Sequence, residues 1–529
     1  MLEKLDRLDG WLAAALDAWR WWIVGAVSLL YLSVTCVLAH YKLFWNDELF
    51  TVYIAGLPTV ADIWTILATG VEQLPPTFHL LTRLLMRLFG ENQIAVRLPA
   101  TLGVGAMAVC LFVVVSRRTS TGYGLIGMLL PLATQPPVAQ AYSYAYEARP
   151  YGLVLAFSAA SLLCWQSATE GRRRIFSLAG LTAALAAALA SHYYAVLVFV
   201  PLAAGELARS LGRRRLDLPI WIAFCLATIP LWAFLPLIRA GRTIATTFWA
   251  QPQWAALVGF YQNILSPAAV VFVAILLILA LYAIVRASAG AERKGAPVAS
   301  PPLHEVVAAL GYLAIPGVAL VLAKFVTGAY TDRYVLPAVI GLALIVPWGA
   351  YHLLDRRATM GAVLAALLCG WFVLVVGLQP ARQLRQDRVN LESVYRLLRM
   401  GPGDVPVVIA SPHAFFQLTY YAPPDLASRF VYLADPASAE RYLGTDTAEL
   451  GIREFRRWTP LRIEDYPAYL SAHPRFLLYS RGPWGWLLPE LQAKRARMQV
   501  VALEAATFPL LLVEVGPETA TARSPASKR

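Results

Sequence analysis

Two adjacent acids, Asp47 and Glu48, follow the first long apolar segment of the chain in the stretch "FWNDELF". Asp47 could act as a general base, because its aromatic neighbours Phe44 and Trp45 would exclude water and so raise its affinity for a proton. Acids also favour the first turn of a helix. The alternative is therefore that the pair only caps the helical segment that follows.

Other ionisable and aromatic residues stand near the ends of later apolar segments. Charged groups at membrane depth are costly, so they pair with one another or line a cavity, and we expect a cavity on one side of the membrane. The alternatives are that the arginines extend to lipid headgroups, that the histidine and tyrosine belong to an interfacial aromatic belt, and that the glutamate only pairs with a nearby arginine. The residues concerned are Glu147 and Arg149 in "YSYAYEARPYGL", His192 and Tyr193 in "SHYYA", Asp332 and Arg333 in "GAYTDRYVLP", and also His79, Arg239 and Arg242.

The composition places these residues in a membrane protein. The 529 residues are 58% hydrophobic and only 15% charged, with a mean hydropathy of +0.57, which is too apolar for a soluble chain of this length. The net charge of +13 comes from arginines in short clusters between apolar segments, which indicates membrane topology and not nucleic-acid binding. All five cysteines lie in apolar segments, so neither a disulfide framework nor a thiolate zinc site is indicated.

Eleven apolar segments are long enough to cross a hydrocarbon core. The segment 76–91 is short and carries Arg83 and Arg87, so it is interpreted as an interfacial helix. The predicted spans lie at about 21–40, 95–116, 121–139, 150–168, 175–191, 194–209, 217–237, 268–285, 304–323, 334–353 and 359–378.

The distribution of basic residues sets the orientation. With eleven spans and a cytoplasmic N-terminus, seventeen Lys and Arg residues fall inside and nine outside, in agreement with the positive-inside rule. The chain is therefore predicted to be a multi-pass inner-membrane protein. The ionisable residues named above then lie on the extracytoplasmic side.

The chain beyond residue 380 has dispersed charges and short apolar runs that are typical of a small α/β domain. The predicted domains are a membrane domain over 1–379, an extracytoplasmic α/β domain over 380–515 and a disordered tail over 516–529. Strand-like runs lie at 405–410, 429–434, 475–480, 498–503 and 508–515, and helical spacing is found at 389–400 and 485–498.

The order of the motifs resembles that of a known family. "NDE", "QLPPTFHLLTRLLMRLFGENQIAVRLPATLGVGAMA", "EARPYGL", "SHYYA" and "DRYVLP" follow one another over residues 40–340 as in integral-membrane glycosyltransferases of the GT-C type. The similar branch includes protein O-mannosyltransferase-like and lipid A aminoarabinose transferase-like proteins. The resemblance implies an α-helical polytopic membrane protein of the GT-C type, with about eleven transmembrane helices, interfacial helices and a small C-terminal α/β domain.

The resemblance also implies an activity. Members of this family transfer a sugar from a polyprenyl-phosphate donor to an acceptor at the outer face of the inner membrane, by an inverting displacement. Asp47 matches the family's base, and Glu48 and Glu147 match its further acids. The chain departs from the aminoarabinose branch at Gln73 and Leu74, where those relatives have a lysine before paired prolines, which argues against aminoarabinose as the sugar.

The departing polyprenyl phosphate requires cations, and planar guanidinium groups suit it. Contacts to the sugar or acceptor are expected from His192, Tyr193, Asp332 and His79. No cofactor or metal is predicted, although carboxylate chemistry leaves a divalent cation near the acids open. The expected phosphate ligands are Arg149 and Arg333, then Arg242 and Arg239.

Two other classes of function compete with the enzyme. A transporter or flippase of lipid-linked sugars would commonly show repeated halves and midplane charges, whereas this sequence has no apparent repeat and its polar residues cluster at one face. A non-enzymatic scaffold would bind a partner through the C-terminal domain, for which we expect acceptor recognition. The expected partners are the donor, membrane lipids and an acceptor lipid, glycan or protein, with no nucleic acid.

Overall fold

The structure, a computed structural model, describes residues 2–133, 142–244, 250–265, 277, 301–481, 485–503 and 508–516. The chain divides into two compact units. The first unit comprises Met1–His40, Leu74–Leu235 and Ala250–Arg382, and the second comprises Tyr41–Gln73, Pro236–Trp249 and Gln383–Arg529.

Helices dominate the chain up to residue 399. In chain order they are α1 (Leu2–Tyr41), α2 (Asn46–Ala55), α3 (Val60–Ala68), α4 (Thr77–Phe89), α5 (Gln93–Ser116), α6 (Thr121–Ala133), α7 (Tyr151–Thr169), α8 (Arg174–Ser191), α9 (Phe199–Arg213), α10 (Leu218–Leu226), α11 (Ile229–Ala233), α12 (Leu235–Ile244), α13 (Trp254–Leu265), α14 (Leu303–Leu322), α15 (Ala338–Leu353), α16 (Ala358–Trp371) and α17 (Gln379–Arg399). Short 3-10 helices cover Ser143–Tyr146, Tyr193–Val198 and Asp332–Tyr334, and π-helical turns cover Ala323–Thr327 and Phe372–Leu378.

Several of these helices identify an integral membrane protein. Within the described ranges, seven helices are long and apolar enough to cross a membrane, or eight if the pair Leu218–Ala233 and Leu235–Thr243, bent by 54°, counts as one span. Two shorter apolar helices are α6 and α15. Ten of the eleven predicted segments therefore coincide with apolar helices, and the eleventh, 268–285, lies outside the described residues apart from residue 277. The total of eleven spans stays a prediction.

Close packing of α5 against α7 fixes the start of α7. A Cβ atom added at Gly152 would lie 2.4 Å from the carbonyl oxygen of Ala100, and one added at Gly103 would lie 2.5 Å from the carbonyl oxygen of Gly152. Only glycine permits the two backbones to approach so closely. The beginning of α7, which directly follows Arg149 and Pro150, is therefore held against α5.

The second unit contains a six-stranded sheet with the order β3-β2-β1-β4-β6-β5. β1, β2, β3 and β4 run parallel, and β6 pairs antiparallel with both β4 and β5. The small C-terminal α/β region and its five predicted strands are confirmed, while β3 is an additional short strand without an apolar run. The strands are β1 (Val407–Ile409), β2 (Phe430–Ala434), β3 (Ile463–Asp465), β4 (Arg475–Tyr479), β5 (Arg497–Ala502) and β6 (Leu510–Glu514).

Helices pack on this sheet and complete its core. Val408, Val431 and Leu478 from the central strands are buried together with Tyr466 of one flanking helix and Trp486, which directly precedes another. These helices are α18 (Pro412–Tyr421), α19 (Pro424–Ala427), α20 (Pro436–Leu443), α21 (Thr447–Phe455), α22 (Tyr466–Ala472) and α23 (Leu487–Ala493). The predicted disordered tail lies outside the described residues from 517 onward.

The segment that carries the two adjacent acids packs within the second unit. Phe50 of α2 stacks on Phe455 with ring centroids 4.5 Å apart and contacts Phe416 at 5.1 Å. Tyr53 lies 6.4 Å from the ring of Tyr420. The apolar side of α2 is thus covered by aromatic residues of α18 and α21, which lie beyond residue 380 and were predicted as a separate domain.

Candidate functional site

The adjacent acids have different surroundings in the first turn of α2. Glu48 is fully buried, and its Oε2 accepts a hydrogen bond from the Trp45 N–H at 3.4 Å and lies 3.9 Å from the Lys42 Nζ. Glu48 therefore caps the helix, as one of the two sequence interpretations expected. Asp47 is half-buried, and its Oδ1 accepts from Asn46 Nδ2 at 3.4 Å. This leaves Asp47 as the stronger candidate for a base.

Arg149 is a buried cation of the first unit. It lies between the 3-10 helix Ser143–Tyr146 and the start of α7, and its N–H donates to the Glu147 carbonyl oxygen at 2.7 Å. Glu147 is buried as well. A guanidinium group with little contact to water interacts strongly with charged and polar neighbours, so Arg149 affects the titratable groups around it.

Two buried histidines lie within the field of Arg149. His79, on α4, is fully buried, and neither of its ring nitrogens has a hydrogen-bond partner among the residues that the structure describes. Burial lowers the pKa of His79 to about 3, and the charge of Arg149 adds to this effect. Burial also lowers the pKa of His192 to about 3, with further contributions from Arg149 and Arg333. Both rings are therefore neutral at physiological pH.

The neutral His192 ring has a defined tautomer and an aromatic surrounding. Its Nδ1 accepts from the Tyr194 N–H at 3.1 Å, so the proton lies on Nε2, which can donate to an anion. The ring lies 5.3 Å from Tyr151 and 5.1 Å from Tyr334. Tyr334 also stacks on Tyr194 at 4.3 Å.

The first unit thus brings together three separate motifs of the sequence. "EARPYGL" supplies Arg149 and Tyr151, "SHYYA" supplies His192, and "DRYVLP" supplies Arg333 and Tyr334. We call these five residues, with His79, the arginine cluster. The two tyrosines were not predicted from the sequence, although each directly follows or lies two positions from a predicted arginine. The available signal in the sequence was an aromatic residue within two positions of a predicted arginine.

The remaining predicted residues have more varied positions. Asp332 is half-buried and accepts from Asn263 Nδ2 at 3.4 Å, and burial raises its pKa against the opposing effect of that bond. Tyr193 is half-buried, and its hydroxyl has no hydrogen-bond partner within the described ranges. Arg239 and Arg242 are exposed on α12 and belong to the second unit, as does Asp47.

In the part of the chain that the structure describes, no group of three or more His, Cys, Asp or Glu side chains is placed to hold a metal ion. The two cations that act on His192, buried Arg149 and half-buried Arg333, could attract an anion.

Comparison with known families gives a match over part of the chain. Residues 73–239 match the family described as dolichyl-phosphate-mannose-protein mannosyltransferase. This segment contains His79, Arg149 and His192, and it ends at Arg239. The resemblance to glycosyltransferases of the GT-C type is thereby confirmed. A comparison with curated protein sequences gives no match.

Three solved structures are similar to this chain. ArnT from Cupriavidus metallidurans bound to undecaprenyl phosphate superposes with a TM-score of 0.56 and 13% identity, covering 95% of this chain and 99% of ArnT. Apo ArnT from the same organism has a TM-score of 0.46, 13% identity and coverages of 96% and 100%. The Archaeoglobus fulgidus oligosaccharyltransferase complex with zinc and sulfate has a TM-score of 0.41, 11% identity and coverages of 86% and 68%. The first of these establishes that the chain has an ArnT-like fold.

Proposed function

We propose that this chain is a GT-C glycosyltransferase that transfers a sugar from a polyprenyl-phosphate donor to an acceptor at the extracytoplasmic face of the inner membrane. The observation that carries the proposal is the arginine cluster, in which the charges of Arg149 and Arg333 both lower the pKa of one buried neutral histidine, His192. The family match over 73–239 and the ArnT-like fold support the same reaction class. Eleven spans, a cytoplasmic N-terminus and the domain limits 379, 515 and 529 belong to this proposal.

The donor phosphate is assigned to the arginine cluster. When the bond between the anomeric carbon and the phosphate oxygen breaks, the electron pair stays on the phosphate, and fixed cations stabilise the resulting negative charge. Arg149 and Arg333 supply these cations, and the Nε2–H of His192 supplies a neutral donor. Burial of Arg149 and His192 strengthens their interactions because little water screens them, whereas Arg333 is half-buried. Arg239 and Arg242, which are exposed on α12, stay assigned to the phosphate as the sequence predicts.

The proton is assigned to Asp47. An acceptor hydroxyl loses its proton to the carboxylate while its oxygen attacks the anomeric carbon from the face opposite the phosphate, so the configuration is inverted. Glu48 orients the turn through its bond to the Trp45 N–H. Glu147, Asp332, Tyr193 and His79 are assigned to sugar and acceptor contacts. The acceptor is a lipid, glycan or protein, and the proposal assigns no cofactor and leaves a divalent cation near the acids open.

Release of polyprenyl phosphate by the purified protein in detergent tests this function. Polyprenyl-phosphate mannose and polyprenyl-phosphate glucose, each labelled in the sugar, are the donors, and a crude envelope extract provides the acceptor. We expect Asp47→Asn to lower turnover by a factor of about 10² to 10⁴, the usual contribution of a general base. The matched control is Asp62→Asn, a half-buried acid in the capping box of α3.

One outcome would exclude the assigned base, and another would exclude the transferase activity itself. Wild-type turnover in the Asp47→Asn protein would exclude Asp47 as the base. A wild-type protein that moves labelled lipid across vesicles but releases no polyprenyl phosphate in detergent would instead be a flippase, because a transporter needs a membrane barrier for a measurable product.

A further inference from the structure

His413 belongs to the sheet region and lies at the edge of the sheet where such folds place functional groups. β1 leads directly into α18, and His413 is the second residue of that helix. β1 pairs with β2 on one side and with β4 on the other, so the strand order changes direction at β1. In open parallel sheets, ligand sites occur outside the carboxyl ends of strands at such a point.

The ring of His413 lies flat against Trp45, the residue that precedes α2. The ring centroids are 6.3 Å apart and the planes differ by 4°. Two further side chains of α18 hold the neighbouring backbone of Phe44. Gln417 Nε2 donates to the Phe44 carbonyl oxygen at 2.8 Å, and the Phe44 N–H donates to the Tyr421 hydroxyl at 2.8 Å. α18 therefore fixes the chain directly before the first turn of α2.

The position of Trp45 determines the position of this turn. The Trp45 N–H donates to the buried Glu48 carboxylate, and Asp47 lies between these two residues in sequence. Asp47 and His413 also act on each other electrostatically. Desolvation lowers the pKa of His413, and the negative charge of Asp47 opposes that shift.

We propose that His413 is a positioning residue for Asp47, because its ring holds Trp45 and Trp45 holds the turn that carries the carboxylate. This inference depends on the proposed function, in which Asp47 is the base. It gives the sheet region a part in the chemical step, beyond the acceptor recognition expected from the sequence. A displacement of about 1 Å at a reacting group can lower a rate about a hundredfold, so a contact that only orients the turn has a kinetic effect.

Three variants test the stacking contact. His413→Ala removes the ring, His413→Phe retains a flat ring, and His473→Ala is the control, because His473 stacks on Tyr469 in the same manner, at 4.6 Å and 7°. With polyprenyl-phosphate mannose as donor, we expect His413→Ala to lower kcat by about tenfold or more without changing KM for the donor. His413→Phe should regain most of kcat, and His473→Ala should match the wild type.

Amide hydrogen exchange over Asn46–Ala55 gives a measurement that does not need activity. We expect exchange in α2 to be about threefold to tenfold faster in His413→Ala, the factor that corresponds to the loss of one aromatic pair, and unchanged in His413→Phe. Wild-type kcat and wild-type exchange in His413→Ala would overturn the proposal, as would equal losses in the Ala and Phe variants. If the wild-type protein releases no polyprenyl phosphate, the proposed function fails, whereas the exchange measurement still decides whether His413 holds α2.

Discussion

The stability of the sheet region should depend on pH through one buried acid, Glu449 of α21. Its Oε1 accepts from the Trp486 Nε1–H at 3.1 Å and from the Tyr432 hydroxyl, and its Oε2 accepts from the Asp435 N–H at 3.1 Å. These bonds favour the ionised form, but burial outweighs them and raises the pKa of Glu449 from 4.5 to about 7. The folded state therefore binds this proton more tightly than the unfolded state.

The sign of the effect follows from proton linkage. Because the pKa of Glu449 is higher in the folded state, its stabilising contribution is fully present below about pH 4.5 and is lost as the pH rises to about 7. A shift of this size corresponds to about 3 kcal/mol of unfolding free energy over that interval. Glu449→Gln cannot ionise, so it should abolish this dependence. It should also lose about 1 kcal/mol at low pH, because its amide nitrogen cannot accept from the Asp435 N–H.

Amide hydrogen exchange of β2 between pH 5 and pH 8, corrected for intrinsic exchange, measures the free energy of opening. The control is Glu454→Gln in the same helix, where the half-buried acid pairs with the exposed Arg457 at 3.0 Å and contributes at most about 1 kcal/mol. The reasoning is refuted if wild-type β2 is equally stable at both ends of this range, or if Glu449→Gln retains the wild-type slope.

Two substitutions test the packing around the proposed sites. Gly152→Ala should destabilise the protein in detergent and lower the release of polyprenyl phosphate, because the added Cβ would lie 2.4 Å from the Ala100 carbonyl oxygen. Its control is Gly349→Ala, because Gly349 has open space around it. This variant should have an unchanged or slightly higher melting temperature and activity. Phe50→Ala should lower the free energy of unfolding by about 3–5 kcal/mol and make α2 accessible to protease, because it removes the ring stacked on Phe455. The control Val60→Ala changes an exposed side chain and should have neither effect. Equal proteolysis of these two variants would contradict the assigned packing.

The elements that the sequence predicted well are those that depend on local chemistry. Uninterrupted apolar length was sufficient to place ten apolar helices, and short alternating or apolar runs placed five strands. β3 was not predicted because its residues, Ile463–Asp465, are mostly polar and its pairing with β2 supplies the reason for its conformation. Strand pairing of this kind is a tertiary interaction that a local pattern does not contain.

The residues of the candidate site were likewise predicted only in part. The motifs indicated Arg149, His192 and Arg333, and these act on one another in the first unit. Residue type could not distinguish the roles of Asp47 and Glu48, because both acids fit a helix start, and only the hydrogen bond to Trp45 identifies Glu48 as the cap. His413 was not predicted, since its contact with Trp45 joins residues far apart in the sequence.

The aromatic covering of α2 limits how this protein can be divided. A chain that ended before the sheet would leave Phe50 and Tyr53 facing detergent or water, and a soluble fragment that began at residue 383 would expose Phe416 and Phe455 in the same way. Neither piece can therefore be produced alone without exposing aromatic residues that contact one another in the whole chain. Chimaeras with related enzymes should therefore exchange residues 41–73 and the sheet region together, since both contribute side chains to one aromatic contact surface.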